Sequence, residues 1–102
     1  MTERSDPLVV DPGHYTVEFE NEHVRVVRIR YAPGDTSSMH GHPGSVIVAL
    51  TDVQAKMTYP DGSTEAMNFP AGAAGWMDAV QHLPENTSDQ PMELIQVELK
   101  GT

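Results

Sequence analysis

Two histidines separated by one glycine, His40 and His42, are the residues of this sequence best suited to chemistry. Two imidazoles at this spacing can reach one point, and the glycine lets the backbone pass close to a metal ion. The most apolar run of the chain, residues 46–50, follows them and predicts a buried strand that anchors the pair. His82 is the candidate third ligand. The alternative is that all three are ordinary loop or core histidines.

Three neutral imidazoles suit a divalent transition metal, namely Fe, Ni, Zn, Mn or Cu. With three protein ligands at least one coordination position stays open, which is typical of a catalytic site. Such a metal could polarise a carbonyl group, activate water or bind O₂. Each histidine also needs an acceptor for its second ring N–H. The candidate acceptors near His82 are Asp78, Gln81, Glu85 and Asn86, and for each of them a plain loop role is the alternative.

Other side chains are candidates for a pocket beside the metal. Arg28 and Arg30 could clamp a substrate carboxylate if they point inward. If they point outward, which we favour, they pair with the many acidic residues of the surface. Tyr59 and Trp76 could also line the pocket, although aromatic side chains are more often part of a core.

The elements that must position these residues are predicted to be short strands. Apolar and polar residues alternate in the manner of half-buried strands, and no segment repeats its apolar residues at helical spacing. Strands are predicted over residues 15–20, 23–31, 46–50, 55–59, 65–69 and 92–99. The histidine pair and residues 83–90 are predicted to lie in loops, and Asp61-Gly62 predicts a hairpin turn. On the last strand Gln96 and Glu98 could point inward. Short strands with frequent turn signals favour an all-β sandwich or barrel.

Length and composition limit the classes of partner. The 102 residues predict one domain over residues 13–102, preceded by an N-terminal arm or edge strand over residues 1–12. Fifteen acidic and six basic residues give a net charge of −9, which argues against nucleic acid and anionic membranes as partners. The sequence has no cysteine and no apolar run near the ~20 residues of a membrane span, and residues 1–7 lack the apolar stretch expected of a signal peptide. We therefore expect a cytoplasmic location.

The two histidine motifs resemble those of the cupin superfamily. Gly34, followed after five residues by His40-Gly41-His42, matches the first cupin motif. Gly72, then His82 and, three residues later, Asn86 correspond to parts of the second motif. The resemblance implies a small jelly-roll barrel of antiparallel strands in which the three histidines bind one metal. The sequence departs from the pattern where cupins have a metal-binding glutamate, because that place falls at Val46 or Ile47.

The sequence is most similar to a group of small single-domain bacterial cupins named after beta-alanine degradation, a name that records a pathway and not a reaction. The shared segments are residues 15–21, 42–43, 60–62, 82–86 and 97–100. Small cupins commonly dimerise, so the resemblance implies a homodimer, to which residues 8–10 could contribute an exchanged strand. We expect a metal-dependent enzyme that acts on a small metabolite, carboxylate-bearing ones included. The alternative is a cupin that binds or senses a small molecule without converting it, with or without a metal.

Overall fold

The computed structural model describes residues 6–101, which form two antiparallel sheets. The elements are α1 (Pro7–Val10), β1 (Tyr15–Glu20), β2 (Val24–Tyr31), β3 (His40–His42), β4 (Ser45–Ala49), β5 (Val53–Thr58), β6 (Thr64–Phe69), β7 (Ala74–Met77), β8 (Val80–Asn86) and β9 (Met92–Leu99). One sheet has the strand order β1-β2-β9-β4-β7 and the other β3-β8-β5-β6. The two sheets form a jelly roll, which confirms the predicted all-β fold.

The core lies between the two sheets and is built from alternate residues of the strands. On β2, Val27, Ile29 and Tyr31 are buried, while Arg28 and Arg30 on the opposite face lie at the surface. This division follows from the alternation of side chains along a strand. The β5–β6 hairpin turns where the sequence predicts it, with Gly62 in the left-handed region at a φ of 87°.

Both faces of β4 are apolar, which explains why this run is the most hydrophobic of the chain. Ile47 lies opposite Gln96 of β9 and faces the space between the sheets. Val46 faces the other way. It belongs to a row of cross-strand neighbours on the outer face of the five-stranded sheet, here called the outer apolar row: Phe19, Val26, Val97, Val46 and Trp76. The two ends of this row are solvent-exposed, with Phe19 at 54% and Trp76 at 58%.

The segment before β1 is a single helical turn and not the edge strand that the sequence allowed for residues 8–10. The Asp6 carboxylate accepts a hydrogen bond from the Leu8 N–H, and Pro7 occupies the first turn, where its missing N–H costs nothing. Residues 1–5 of the predicted arm lie outside the described residues. Within residues 6–101 there is no helix with the length and hydrophobicity needed to cross a membrane.

Candidate metal centre

The pairing of β3 with β8 brings the three histidines together between the sheets. His40 lies directly opposite His82 in the antiparallel ladder, and His42 follows two residues later on the same face. All three are buried, with exposed fractions of 0%, 5% and 2% for His40, His82 and His42. Their ring centroids are 4.8 to 5.2 Å apart, and each potential ligand atom lies within 4.8 Å of the others. The cluster could hold a metal ion.

His40 is held in one orientation from both sides of its ring. Its Nδ1 atom lies 2.8 Å from the Ser38 carbonyl oxygen and 3.1 Å from the Ser37 hydroxyl. The carbonyl accepts the Nδ1–H, so the lone pair of the ring is on Nε2, the nitrogen that would bind a metal. The Tyr15 hydroxyl lies 3.1 Å from this Nε2 atom and 2.7 Å from the Tyr31 hydroxyl. Burial raises the pKa of Tyr15 well above its usual value, so its hydroxyl keeps its proton and can donate it.

His42 is fixed by an acidic side chain from the last strand. Its Nδ1–H donates to Glu98 Oε2 at 2.9 Å, and Arg25 Nε donates to Glu98 Oε1 at 2.7 Å. Burial alone would raise the pKa of Glu98, but the hydrogen bonds from His42 and Arg25 outweigh it and lower this pKa. Glu98 is therefore an anion beneath the histidine and leaves the His42 Nε2 lone pair free for a metal.

His82 offers the observation that best tests whether a metal fits. Its Nε2 atom is buried and has no hydrogen-bond partner within the described residues. A buried polar nitrogen without a partner is unfavourable, and a metal ion at the cluster would satisfy it. The donor set, three imidazoles with buried supporting groups, is one that divalent transition metals accept. The residues present therefore fit a metal.

The protonation states also suit metal binding. Burial, followed by the positive charge that its neighbour His42 can carry, lowers the pKa of His82 to about 3. The same two causes lower the pKa of His40 to about 4. Both rings are neutral at pH 7, and the neutral imidazole is the form that binds metal.

A narrow cavity lies beside the cluster. Its polar lining residues are Tyr15, Tyr31, His42, His82 and Gln96, and the rest of its wall is apolar. The apolar wall includes Ile47, Met57, Met67, Phe69 and Met77. The space open to the centre of a water molecule is about 50 Å³, enough for about three or four waters. Among the described residues no carboxylate, lysine or arginine lines this cavity.

Four of the predicted pocket residues lie elsewhere. Arg28 pairs with Glu18 and Glu93 on the outside of the sheet, and Arg30, with 67% of its side chain exposed, pairs with Glu93. This is the outward placement that the sequence favoured. Tyr59 donates to Glu65 at 2.5 Å beside the hairpin turn, and Trp76 is exposed at one end of the outer apolar row. None of the four lines the cavity.

The predicted acceptors on β8 do not support the histidines either. Gln81 and Glu85 stand at odd-numbered positions of the strand and face away from His82. Asn86 does face inward and is fully buried, but its amide donates to the carbonyl oxygens of Tyr31, Ala32 and Gln90. It fastens the loop before β9 to the end of β2, which is a structural role.

The groups that do support the histidines come from distant strands. Arg25 and Tyr31 share the inward face of β2 with Val27 and Ile29, and Tyr15, the one buried residue of β1, lies opposite Ile29. Strand alternation predicts the placement on β2 once one buried residue of that strand is known. Glu98, whose direction the sequence leaves open, faces inward opposite Ser45. Ser37 precedes β3 in an irregular segment, and no periodic signal marks it.

Comparison with solved structures identifies the class of fold. The structure resembles a cupin domain from Bordetella pertussis Tohama I with a TM-score of 0.78 and 27% identity, covering 85% of this chain and 92% of that one. A structure of Bacillus subtilis oxalate decarboxylase, described by its Mn(II) centres, matches with a TM-score of 0.58 and 23% identity, covering 76% of this chain but 22% of that one. The second likeness shows the fold alone. No protein-family model matches the sequence.

A curated relative carries the assignment further. The beta-alanine degradation protein BauB of Pseudomonas aeruginosa is 33% identical over 87 residues, which cover 83% of this chain and 90% of the relative. The chain belongs to the cupin superfamily.

Proposed function

We propose that the protein is a metal-dependent enzyme that converts a small metabolite at the cluster of His40, His42 and His82. The observation that carries the proposal is the buried, unpartnered Nε2 atom of His82 beside two further imidazoles. The Nε2 atoms of the three rings would hold a divalent metal among Fe, Ni, Zn, Mn and Cu. When bound, the metal would supply a Lewis acid with open coordination positions.

The chain's own residues would orient the substrate. Glu98 and the Ser38 carbonyl hold two of the imidazoles in place, as described above. Once the His40 Nε2 lone pair is engaged, the Tyr15 O–H is free to donate a hydrogen bond into the cavity, with the Tyr31 hydroxyl behind it. The apolar wall would keep bulk water from the reacting groups.

The size and lining of the cavity limit the substrate class. Its volume suits a molecule of a few non-hydrogen atoms. Because no cationic side chain lines it among the described residues, a substrate carboxylate would find its positive partner in a metal ion held by the histidine cluster. The name of the relative BauB also points to a short carboxylate-bearing metabolite.

A second candidate function is binding or sensing without turnover. Ile47 favours it, because this apolar side chain faces the cavity at the place where cupins have a metal-binding glutamate. Thermal-shift screening of short carboxylates, followed by mass spectrometry of each ligand, separates the two functions. Conversion of a ligand rejects the sensor, and a bound ligand recovered unchanged after long incubation rejects the enzyme.

Elemental analysis of the protein as isolated tests the metal site. We expect about one transition-metal ion per chain in the wild type, and loss of most of it in His40→Ala and His82→Ala. His23→Ala is the control, because His23 is exposed and lies outside both motifs. Wild-type protein that holds no metal, and binds none when Fe, Ni, Zn, Mn and Cu salts are added, would contradict the proposal.

We propose further that two copies pair through the outer apolar row. Its support is the continuous run of apolar cross-strand neighbours with exposed ends at Phe19 and Trp76.

A cytoplasmic location stays a prediction, supported by the absence of cysteine.

A further inference from the structure

The N-terminal turn, residues 6–11, contacts side chains that help to orient both His40 and His42. It consists of α1 and the aspartates that flank it, Asp6 and Asp11. Pro7 is fully buried and Leu8 packs against the core, so the turn is docked on the barrel. Its two carboxylates therefore stand at fixed positions on the histidine side of the fold.

Asp6 acts on His42 through two intervening side chains. Its two oxygens accept hydrogen bonds from the Arg25 guanidinium at 2.8 and 3.1 Å. Arg25 in turn donates to Glu98, which accepts the His42 Nδ1–H. The planar guanidinium of Arg25 is hydrogen-bonded to Asp6 and to Glu98. Asp6 therefore affects both the orientation and the electrostatic environment of Glu98.

Asp11 acts on His40 through one side chain. Its Oδ2 atom accepts the Ser37 hydroxyl proton at 2.5 Å, which turns the serine oxygen toward His40 Nδ1 at 3.1 Å. The same carboxylate is held from the other side by His14 Nδ1 at 2.8 Å. His14 stacks on Tyr31 with ring centroids 4.4 Å apart and reaches Asp35 with its other nitrogen.

We propose that Asp6 and Asp11 are positioning residues that set the metal affinity of the cluster, each through a different histidine. This inference rests on the proposed metal-binding function. Loss of a partner that orients a metal-ligating histidine typically weakens metal binding 10- to 100-fold. Asp6 and Asp11 act through further groups, so each should account for a weakening of about tenfold, at the lower end of that range. Because the two carboxylates act through different histidines, the double variant should bind the metal more weakly than either single variant.

The test is a set of isosteric variants, Asp6→Asn, Asp11→Asn and the double variant, titrated with cobalt(II) and zinc(II). Asparagine is as good a helix N-cap as aspartate, so Asp6→Asn keeps the turn while it removes the ion pair with Arg25. Asp35→Asn is the control, because it removes one carboxylate charge that contacts His14 and the Ala32 N–H but not Ser37 or Arg25. Dissociation constants come from chelator competition, and the absorption spectrum of bound cobalt reports the geometry of the ligands.

Two results together support the inference: about tenfold weaker binding in each single variant with an altered cobalt spectrum, and near wild-type binding in Asp35→Asn. Equal weakening of metal binding in Asp6→Asn, Asp11→Asn and Asp35→Asn would show an effect of net charge alone and would overturn the inference. Unchanged binding in Asp6→Asn and Asp11→Asn would also overturn it while leaving the metal site standing. Wild-type protein that binds neither ion rejects the proposed function and this inference with it.

The design also covers a failure to fold. Thermal melting of the metal-free variants distinguishes a structural defect from a loss of metal affinity. A structural defect would lower the melting temperature without changing the affinity or the cobalt spectrum. If Asp11→Asn does not fold, Ser37→Ala cuts the same link and leaves the Asp11–His14 contact in place. Binding by Ser37→Ala at wild-type affinity would then overturn the role of Asp11.

Discussion

Glu98 is a buried carboxylate that touches both a candidate ligand and an arginine. It is 2% exposed, and its two oxygens are engaged separately by His42 and Arg25. A buried carboxylate of this kind orients the imidazole that it contacts and fixes which nitrogen faces the metal. Its negative charge also offsets part of the positive charge that a metal ion would bring into the barrel.

We predict that Glu98→Gln weakens zinc binding by about 10- to 100-fold, the range typical for such partners. The glutamine amide has the same shape but carries no charge, so it supports the imidazole less strongly. Chelator competition at pH 7 measures the effect. Glu93→Gln, on the outer face of the same strand, should bind zinc like the wild type, and equal losses in both variants would contradict the assignment.

At the residue level the sequence identified the three histidines but not their supports. The ligands form a motif of fixed spacing, which a one-dimensional pattern can carry. Their hydrogen-bond partners depend on which strands become neighbours, and Arg25 reaches Glu98 across 73 positions of the sequence. Gln81 and Glu85 lie near His82 in the sequence, yet strand alternation turns them to the opposite face.

At the element level the register of β4 decides what the missing glutamate means. Cupin spacing leaves its place at Val46 or Ile47, and these two positions differ in kind. Val46 faces the outer apolar row, and Ile47 faces the cavity. A carboxylate restored at the inward position would stand beside the histidines, whereas one at the outward position would stand in the outer apolar row, on the opposite face of the sheet.

We predict that Ile47→Glu changes the cobalt(II) absorption spectrum and strengthens metal binding, since an added carboxylate is a suitable ligand. Burying the new carboxylate should cost the metal-free protein roughly 1–3 kcal/mol of stability. Val46→Glu is the matched control and should leave the spectrum unchanged. Urea unfolding and cobalt titration of both variants check this, and identical spectra for Ile47→Glu and wild type would show that the side chain does not reach the metal.

Most strands were predictable from alternation, but the segments that carry the histidines were not. β3 has three residues, too few to show a period, and its strand conformation comes from pairing with β8. β8 runs through Pro84 to Asn86, where the sequence predicted a loop. Proline lacks an N–H and usually interrupts a strand. The strand nevertheless continues through Pro84, whose side chain faces inward and lines the cavity.

At the scale of the whole molecule, the buried histidines couple stability to pH. The pKa values of His40 and His82 are lowered to about 4 and about 3 in the folded protein, mainly by burial. Below the ordinary value near 6.5 the unfolded chain binds protons at these sites and the folded protein does not. Stability therefore falls as the pH falls from 6.5 toward 4. His14 works in the other direction: burial alone would lower its pKa, but hydrogen bonds to Asp11 and Asp35 raise it, so its contribution is already complete below 6.5.

We predict that the metal-free protein loses stability between pH 6.5 and 5, by up to about 1.4 kcal/mol per pH unit for each of the two histidines. Urea midpoints at several pH values measure the slope. His82→Asn should reduce the slope by about half, because one of the two groups is removed. A midpoint that does not change between pH 6.5 and 5 would contradict the prediction.

We predict that Phe19→Glu and Trp76→Glu convert a dimer into monomers, because each places a charge in the outer apolar row. Light scattering across a concentration series measures the mass. Leu50→Glu is the control, since Leu50 is also exposed, at 44%, but lies outside the row. Wild-type protein that is monomeric at high concentration would reject the pairing proposed for this face.

The edge position of β3 would govern how fast a metal ion binds and is released. β3 supplies two of the three histidines, yet it is three residues long and, among the described strands, is bonded to β8 alone. Short edge segments detach transiently far more often than a whole domain unfolds. A bound ion would thus be released when β3 lifts from β8, and its residence time would follow that local event. The N-terminal turn is hydrogen-bonded to Arg25 and Ser37, which contact the groups around His42 and His40, and would therefore slow the release of the metal.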